Sequence, residues 1–268
     1  MGKIRIDLLL VEKNFAPSRS KALQLIQEGK VYVNHQLVNK AGLFCNEEDC
    51  IEIQENHLFL YVSRGGLKLK KAIDTFHINL KDKVVLDIGA STGGFTDCCL
   101  KQGASHVYAL DVGINQLAES LKKDTRVTNY EGINFKSIDL SYFSHKIDYI
   151  TIDVSFISIQ NILMKVNELF SDIIIIGLFK PQFEVGKQNI NKNGVVKNKK
   201  VHKQALKSFQ EFLKQQQFYL NQLTYSPIIG AKEGNIEYLC FISRDYQKQE
   251  FAIDQIVDEA FLTLKGVS

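Results

Sequence analysis

The stretch "LDIGASTGGFTD", residues 86–97, is an apolar strand that runs into glycines and small polar residues, after which "CCLKQGA" turns helical. Strand, glycine turn and helix N-terminus in that order let a backbone approach a ligand closely, because Gly89, Gly93 and Gly94 carry no side chain. A dinucleotide fingerprint, G-x-G-x-x-G, would place glycine where Ser91 stands, and no G-x-x-x-x-G-K-[ST] occurs, so neither a pyrophosphate nor a triphosphate site is indicated. Asp111 closes "YALDVG" twenty-two residues after Gly89. An acid at that offset ends the second strand, where its carboxylate accepts from the two hydroxyls of a ribose.

A nucleoside without a pyrophosphate needs the glycine turn and the ribose acid but not the full glycine set, and S-adenosylmethionine fits that description. The expected cofactor contacts are Asp87 at the methionine ammonium, Gly89, Ser91 and Gly93 in the turn, Asp111 at the ribose and Asp139, in "NFKSIDL", near the adenine amino group. A helix N-cap explains Asp139 equally well.

Outward from this stretch, strand-like and helix-like segments alternate from about residue 66 to 243: "VVLDIGA", a helix near 94–102, "HVYALDV", a helix near 115–123, "DYITIDVSF", a helix near 159–170, and "DIIIIGLF". This rhythm predicts an α/β fold, a Rossmann-like, mostly parallel sheet covered on both faces. "FYLNQLTY" and "NIEYLCFIS" predict an antiparallel pair at its edge. A final helix buries Ile253, Ile256, Val257, Ala260, Phe261 and Leu264.

Residues 3–55 read as a small separate α+β unit. "SRSKALQLIQEG" predicts a helix capped by Ser18, with Ala22, Leu23 and Ile26 inward and Gly29 as its stop, followed by a strand turning at Asn34-His35. The expected organisation is a first domain over 1–60, a linker over 61–66 and a catalytic domain over 67–268.

Composition is that of an ordinary globular protein, 45% hydrophobic and 24% charged. The apolar run LLLV near the N-terminus is flanked by Asp7 and Glu12, unlike a secretory signal, and "IIIIGLF" is far short of the ~20 residues of a membrane helix, so a cytoplasmic location is expected. Five cysteines with no CxxC pair predict neither a disulfide framework nor a metal site. Charge is segregated: residues 3–40 carry seven Lys/Arg against three acids, and residues 180–207 carry eight lysines and one acid, Glu184. Segregated basic faces suit a polyanion. The Asn and Gly content of "GKQNINKNGVVKNKKVHK" adds an expectation of mobility there.

Three ionisable residues interrupt apolar strands: Asp153 in "TIDVSFIS", Lys180 in "FKPQFEVGK" and Glu237 in "GNIEYLCF"; Lys68 precedes them in "SRGGLKL". Charges at the carboxyl ends of parallel strands point into the ligand crevice of an open α/β sheet. With "LDIGASTGGFTD", "YALDVG" and "SPIIGAKEGNIEYL", these segments resemble the TlyA (hemolysin A) family of ribosomal RNA 2′-O-methyltransferases, which share the FtsJ-like catalytic fold. "RIDLLLVEKNFAPSRSKALQLIQEGKVYVN" resembles the small RNA-binding module named after ribosomal protein S-four. The resemblance implies a catalytic Lys-Asp-Lys-Glu tetrad at Lys68, Asp153, Lys180 and Glu237, and methylation of ribose 2′-hydroxyls, at cytidines, in the RNA of ribosomal subunits.

A lysine, with an ordinary pKa near 10.4, is mostly protonated at neutral pH. Lys180 is expected to be brought towards neutrality by a neighbouring cation, Lys68, and partial desolvation, with Asp153 and Glu237 orienting both. Arg5, Arg19 and Lys21, with Arg64 at the hinge, are the expected phosphate contacts. Three other readings compete: an RNA-binding protein with an inactive methyltransferase domain, a membrane-lytic protein as the family's other name suggests, and a pseudouridine synthase, which would need a different catalytic domain.

Overall fold

The computed structural model describes residues 3–13, 15–16, 18–53, 60–230, 234–247 and 251–266. Residues 231–233 of the motif "SPIIGAKEGNIEYL" lie outside these. Contacts divide the chain into two units, with the boundary between Leu60 and Tyr61.

The first unit runs β1 (Ile4–Arg5), α1 (Ile6–Glu12), α2 (Arg19–Gln27), β2 (Val31–Val33), β3 (Gln36–Leu37), β4 (Phe44–Cys45) and β5 (Ile51–Ile53). β1 pairs with β4, and β3-β2-β5 form a small antiparallel sheet. Asn34 and His35 both take positive φ (49° and 64°), the conformation a two-residue hairpin needs to match strand twist. Ser18 caps α2 by accepting from the Lys21 backbone N–H. The inward face of α2 carries Ala22, Leu25 and Ile26 rather than Leu23, because Leu25 and Ile26, three and four residues after Ala22, share its face.

The second unit runs α3 (Gly65–Phe76), β6 (Val84–Ile88), α4 (Gly94–Lys101), β7 (His106–Asp111), α5 (Glu119–Lys122), β8 (Val127–Glu131), β9 (Tyr149–Ile152), α6 (Ile159–Leu169), β10 (Ile174–Phe179), α7 (Pro181–Glu184), α8 (Lys199–Gln215), β11 (Tyr219–Tyr225), β12 (Tyr238–Ser243) and α9 (Ile253–Lys265). Its seven strands lie in the order β11-β12-β10-β9-β6-β7-β8, parallel from β10 to β8, with β12 antiparallel to both its neighbours. Alternate strand residues feed two cores. Leu86, Ile88 and Ile175 pack with Leu163 of α6, Leu206 of α8 and Val257 of α9. Val85, Val107 and Ile176 pack with Leu69 of α3, Phe95 of α4 and Leu121 of α5.

Residues Tyr61–Gly66, expected as a linker, belong to this unit. Tyr61 is buried in the α3/α4 core, and the Val62 N–H donates to Asp97 Oδ2 at 2.8 Å. From β6 the chain moves outward through β7 and β8, then returns to place β9 on the other side of β6. That reversal is a topological switch point, the place where open α/β sheets form a ligand crevice beyond the carboxyl ends of the strands. Gly89 and Asp153 sit there, one residue past β6 and β9. A β-carbon on Gly89, whose φ is +86°, would lie 2.7 Å from the Asp153 carbonyl oxygen, so no other residue type fits that turn.

The lysine-rich segment before α8 is tied down rather than loose. Val195 and Val196 are buried, the Val196 N–H donates to Asn235 Oδ1 at 3.0 Å, and Asn235 Nδ2 donates to the Gly194 carbonyl at 2.9 Å. The His202 ring is enclosed between the Val196 carbonyl and the Tyr238 hydroxyl, each at 2.9 Å. Among the described residues, no helix is long and apolar enough to cross a membrane.

Candidate active site

At the switch point lies a cavity of about 590 Å³, within the range of roughly 300–1,000 Å³ of small-molecule sites. Its wall includes Gly89, Ser91, Asp111, Asn134, Asp153 and Phe156. The Asp111 carboxylate accepts from the backbone N–H of Ser91 (2.8 Å) and of Gly113 (2.7 Å), so this acid also ties the glycine turn to the loop after β7. Ser91, in left-handed backbone at φ +48°, donates its hydroxyl to Gln116 Oε1 at 2.9 Å.

Glu131, at the end of β8, accepts from the Gln116 and Leu117 N–H groups. Those backbone donors, led by Leu117, together with the Asn129 side chain, pull its carboxyl down to about 2. Glu131 and Gln116 were not foreseen; the positions carry no motif, and only the fold brings them to the loop.

Two expected cofactor residues stand elsewhere. Asp87 shares strand parity with Val85 and therefore faces α4, fully buried, its two oxygens accepting from Thr96 Oγ1 (2.7 Å) and Thr151 Oγ1 (2.8 Å). The structure does not bring its carboxylate to the cavity wall. Asp139 caps a short 3-10 turn, accepting from the Ser141 N–H at 2.8 Å, and the wall beyond β8 is formed instead by Asn134 and Phe135.

Burial pushes Asp87 up to about 6 despite its two hydroxyl donors. A carboxyl whose folded pKa lies above its unfolded value near 3.8 favours the folded state while protonated, and that contribution is lost as pH rises from about 4 to 6. Asp87→Asn, which stays neutral, is therefore expected to gain stability relative to wild type between pH 4 and pH 7, by up to roughly 3 kcal/mol. Paired melting curves at the two pH values measure this, and a constant difference would refute the assignment.

The four expected catalytic residues do converge, as two ion pairs. Lys68 Nζ, on α3, meets Glu237 Oε2 at 2.6 Å, and Lys180 Nζ, past β10, meets Asp153 Oδ1 at 2.6 Å. Lys180 also donates to Ser155 Oγ at 2.8 Å, a contact not foreseen. Burial depresses the Lys68 ammonium, but the charges of Asp153 and Glu237 outweigh it and hold its pKa above the ordinary lysine value. Burial likewise raises Asp153, and the charges of Lys180 and Lys68 outweigh that, keeping its pKa below the carboxylate norm. Asp153 therefore serves both lysines. Arg64, at the start of α3, donates to the Ile229 carbonyl at 3.3 Å and adds positive charge beside Lys68.

The segment from Asp153 to Ile159 is fastened to α7. Glu184 accepts from the Ser158 hydroxyl (2.6 Å) and the Ile159 N–H (2.8 Å) at the start of α6. Phe183 meets Phe156 with ring centroids 5.4 Å apart. Phe156 itself is 88% exposed and held at φ +66°, where a non-glycine residue is strained.

In the first unit, Arg5 and Arg19 converge on Asp7. Arg5 Nε donates to Oδ1 at 3.0 Å and Arg19 Nε to Oδ2 at 2.8 Å, while Asp7 is fully buried. Burial raises the Asp7 carboxyl, and hydrogen bonds from both guanidinium groups outweigh it, leaving its pKa below the ordinary value. The arginine side chains remain 40% and 54% exposed, so each still presents donors to solvent. Lys21 lies on the same helix as Arg19, with Gln24 Oε1 at 3.5 Å. Among the described residues no cluster of His, Cys, Asp and Glu could hold a metal ion.

A glycine turn and a strand-end acid around one cavity, with Asp153 on its wall facing two lysines, define a methyltransferase of the Rossmann-like class. Residues 61–244 match the model of the FtsJ-like methyltransferases, and residues 4–51 match that of the S4 domain. YqxC of Bacillus subtilis is 42% identical over 98% of this chain and 96% of its own length. A Mycobacterium tuberculosis protein named 16S/23S rRNA (cytidine-2′-O)-methyltransferase TlyA is 34% identical over 90% of each chain. A solved structure of a hemolysin-named protein from Streptococcus thermophilus superposes with a TM-score of 0.77 at 35% identity, covering 99% of this chain and 98% of that one. The chain belongs to the FtsJ-like methyltransferase family, in the TlyA group that carries an N-terminal S4 domain.

Proposed function

We propose that this enzyme transfers a methyl group from S-adenosylmethionine to ribose 2′-hydroxyls of ribosomal RNA, at cytidines, in ribosomal subunits. The observation that carries this reading is the pairing of Lys68 with Glu237 and of Lys180 with Asp153 at the switch point, where Asp153 also lines the cavity. The residues present suit the cofactor. Gly89 leaves room that a β-carbon would fill, and Asp111, already oriented by two backbone N–H groups, keeps lone pairs for the ribose hydroxyls. Asn134 and Phe135 line the same cavity and suit contact with a nucleobase.

When bound, S-adenosylmethionine would supply an electrophilic methyl open to in-line attack by the ribose oxygen, with sulfur leaving with the C–S electron pair. The protein's part is to hold the hydroxyl near the methyl, at roughly 3–3.5 Å, and to take its proton. Lys180 is the base. Lys68, kept charged by Glu237 and Asp153, stays behind as the fixed cation that balances the carboxylates. Arg5, Arg19, Lys21 and Arg64 contact RNA phosphates, and Asp7 sets the spacing of the first two. Arg64 does so from the second unit.

The test is transfer of labelled methyl from S-adenosylmethionine to purified small and large ribosomal subunits. Label in an alkali-resistant dinucleotide is expected; label released as a free mononucleotide, or none at all, would sink the reading.

An exposed phenyl ring at a strained position beside the reacting centre suits stacking on an unpaired base. Phe156→Ala is expected to lower kcat/KM for RNA about 10- to 100-fold, in line with roughly 1–3 kcal/mol per stacked base, with cofactor affinity unchanged. Equal kcat/KM in wild type and variant would remove Phe156 from substrate binding.

A further inference from the structure

We infer that Ser155 is a positioning residue for Lys180, and that the doubly held lysine is thereby marked as the base; the inference rests on the methyl-transfer reading above. An ammonium nitrogen carries three donors besides its bond to Cε. Two of those directions on Lys180 are taken, one by Asp153 Oδ1 at 2.6 Å and one by Ser155 Oγ at 2.8 Å. Among the described residues nothing takes the third. When the lysine is neutral, that third direction carries its lone pair, and the 2′-hydroxyl proton enters there: the O–H bond breaks, an N–H bond forms, and the oxygen keeps the electron pair with which it attacks the methyl carbon.

Lys68 is built differently. Among the described residues its hydrogen bond is to Glu237 Oε2, with no hydroxyl beside it. A single carboxylate suits a fixed counter-charge, whereas aiming a lone pair requires two reference points. Ser155 also differs chemically from Asp153. A neutral amine keeps two N–H bonds, which stay directed at Asp153 and at the Ser155 oxygen, so the uncharged hydroxyl accepts in both protonation states and leaves the third direction to the lone pair.

Ser155 can serve this way because its loop is fixed. Glu184 binds the Ser158 hydroxyl and the Ile159 N–H, and Phe183 meets Phe156, so the chain after Ser155 is joined to the segment that begins with Lys180, while Asp153 before it pairs with Lys180 itself. Ser155 is an exposed residue that lines the cavity.

The experiment compares wild type, Ser155→Ala, Ser155→Thr and Lys180→Ala in single-turnover methyl transfer to purified ribosomal subunits across pH, with cofactor affinity measured by calorimetry. Ser155→Ala is expected to slow transfer about 10- to 100-fold with cofactor affinity within twofold of wild type, and Ser155→Thr, which restores the hydroxyl, to recover most of the rate.

A Ser155→Ala rate equal to wild type overturns the inference, as does a slow variant that Thr does not rescue or whose cofactor affinity falls in parallel. Absence of transfer by wild type would instead overturn the methyl-transfer reading and this inference with it.

Discussion

Lys180→Ala is expected to abolish methyl transfer to ribosomal subunits, by at least about 10³-fold, while binding S-adenosylmethionine with wild-type affinity. A positioned general base contributes roughly 10²- to 10⁴-fold, and here the same group also fixes the hydroxyl's approach. Cofactor binding is spared because Lys180 bonds to Asp153 and Ser155, whereas the glycine turn and Asp111 are held by contacts that do not involve it. Asp153 does not become an isolated charge, since Lys68 still faces it. Lys180→Arg separates base from cation. A guanidinium stays charged at every accessible pH, so it preserves the charge and cannot take the proton. An inactive Arg variant is the expected result, and an active one would make Lys180 an electrostatic clamp. Joint loss of cofactor binding and transfer in Lys180→Ala would mean that the site had collapsed.

The glycine turn and Asp111 were legible in the sequence because they follow from backbone rules that hold within one βαβ unit. Asp87 was placed differently by the structure for a reason the sequence also carried: it lies between Leu86 and Ile88, which share one core, so strand parity sends it to the other face, towards Thr96. Asp139 and Asn134 could not be ranked from sequence. Both cap short turns after β8, and only the path of the chain decides which one lines the cavity. The lysine-rich segment misled for a compositional reason. Its charges outnumber its apolar residues, yet Val195 and Val196 bury their side chains and Asn235 and His202 hold the backbone between them. Ser155 and Phe156 stand in the quoted motif "TIDVSFIS", but a left-handed φ at Phe156 and a hydrogen bond to a residue 25 positions later are tertiary facts.

Glu237→Ala is expected to lose activity and to lower the melting temperature by roughly 6–20 °C. Lys68 and Glu237 side chains are 12% and 4% exposed, and removing one partner of a buried pair costs about 3–5 kcal/mol because the other charge loses its hydrogen-bonded counter-charge, here leaving Lys68 to share Asp153 with Lys180. In a domain of this size each kcal/mol is worth about 2–4 °C. Much of that cost belongs to the stranded ammonium rather than to the bond that was lost. The double replacement Lys68→Met with Glu237→Leu removes both charges and fills the space with apolar groups, an exchange that is often neutral or stabilising. Its melting temperature is therefore expected to return to the wild-type value or above it, with methyl transfer still absent. Such a result would show that the pair is maintained for the chemistry at a cost in stability, as expected of charges placed where a sheet opens onto its ligand. A double variant as unstable as Glu237→Ala would place the loss in packing at β12, where Glu237 adjoins the fully buried Tyr238, and a Glu237→Ala protein that methylates normally would take this pair out of the active site altogether.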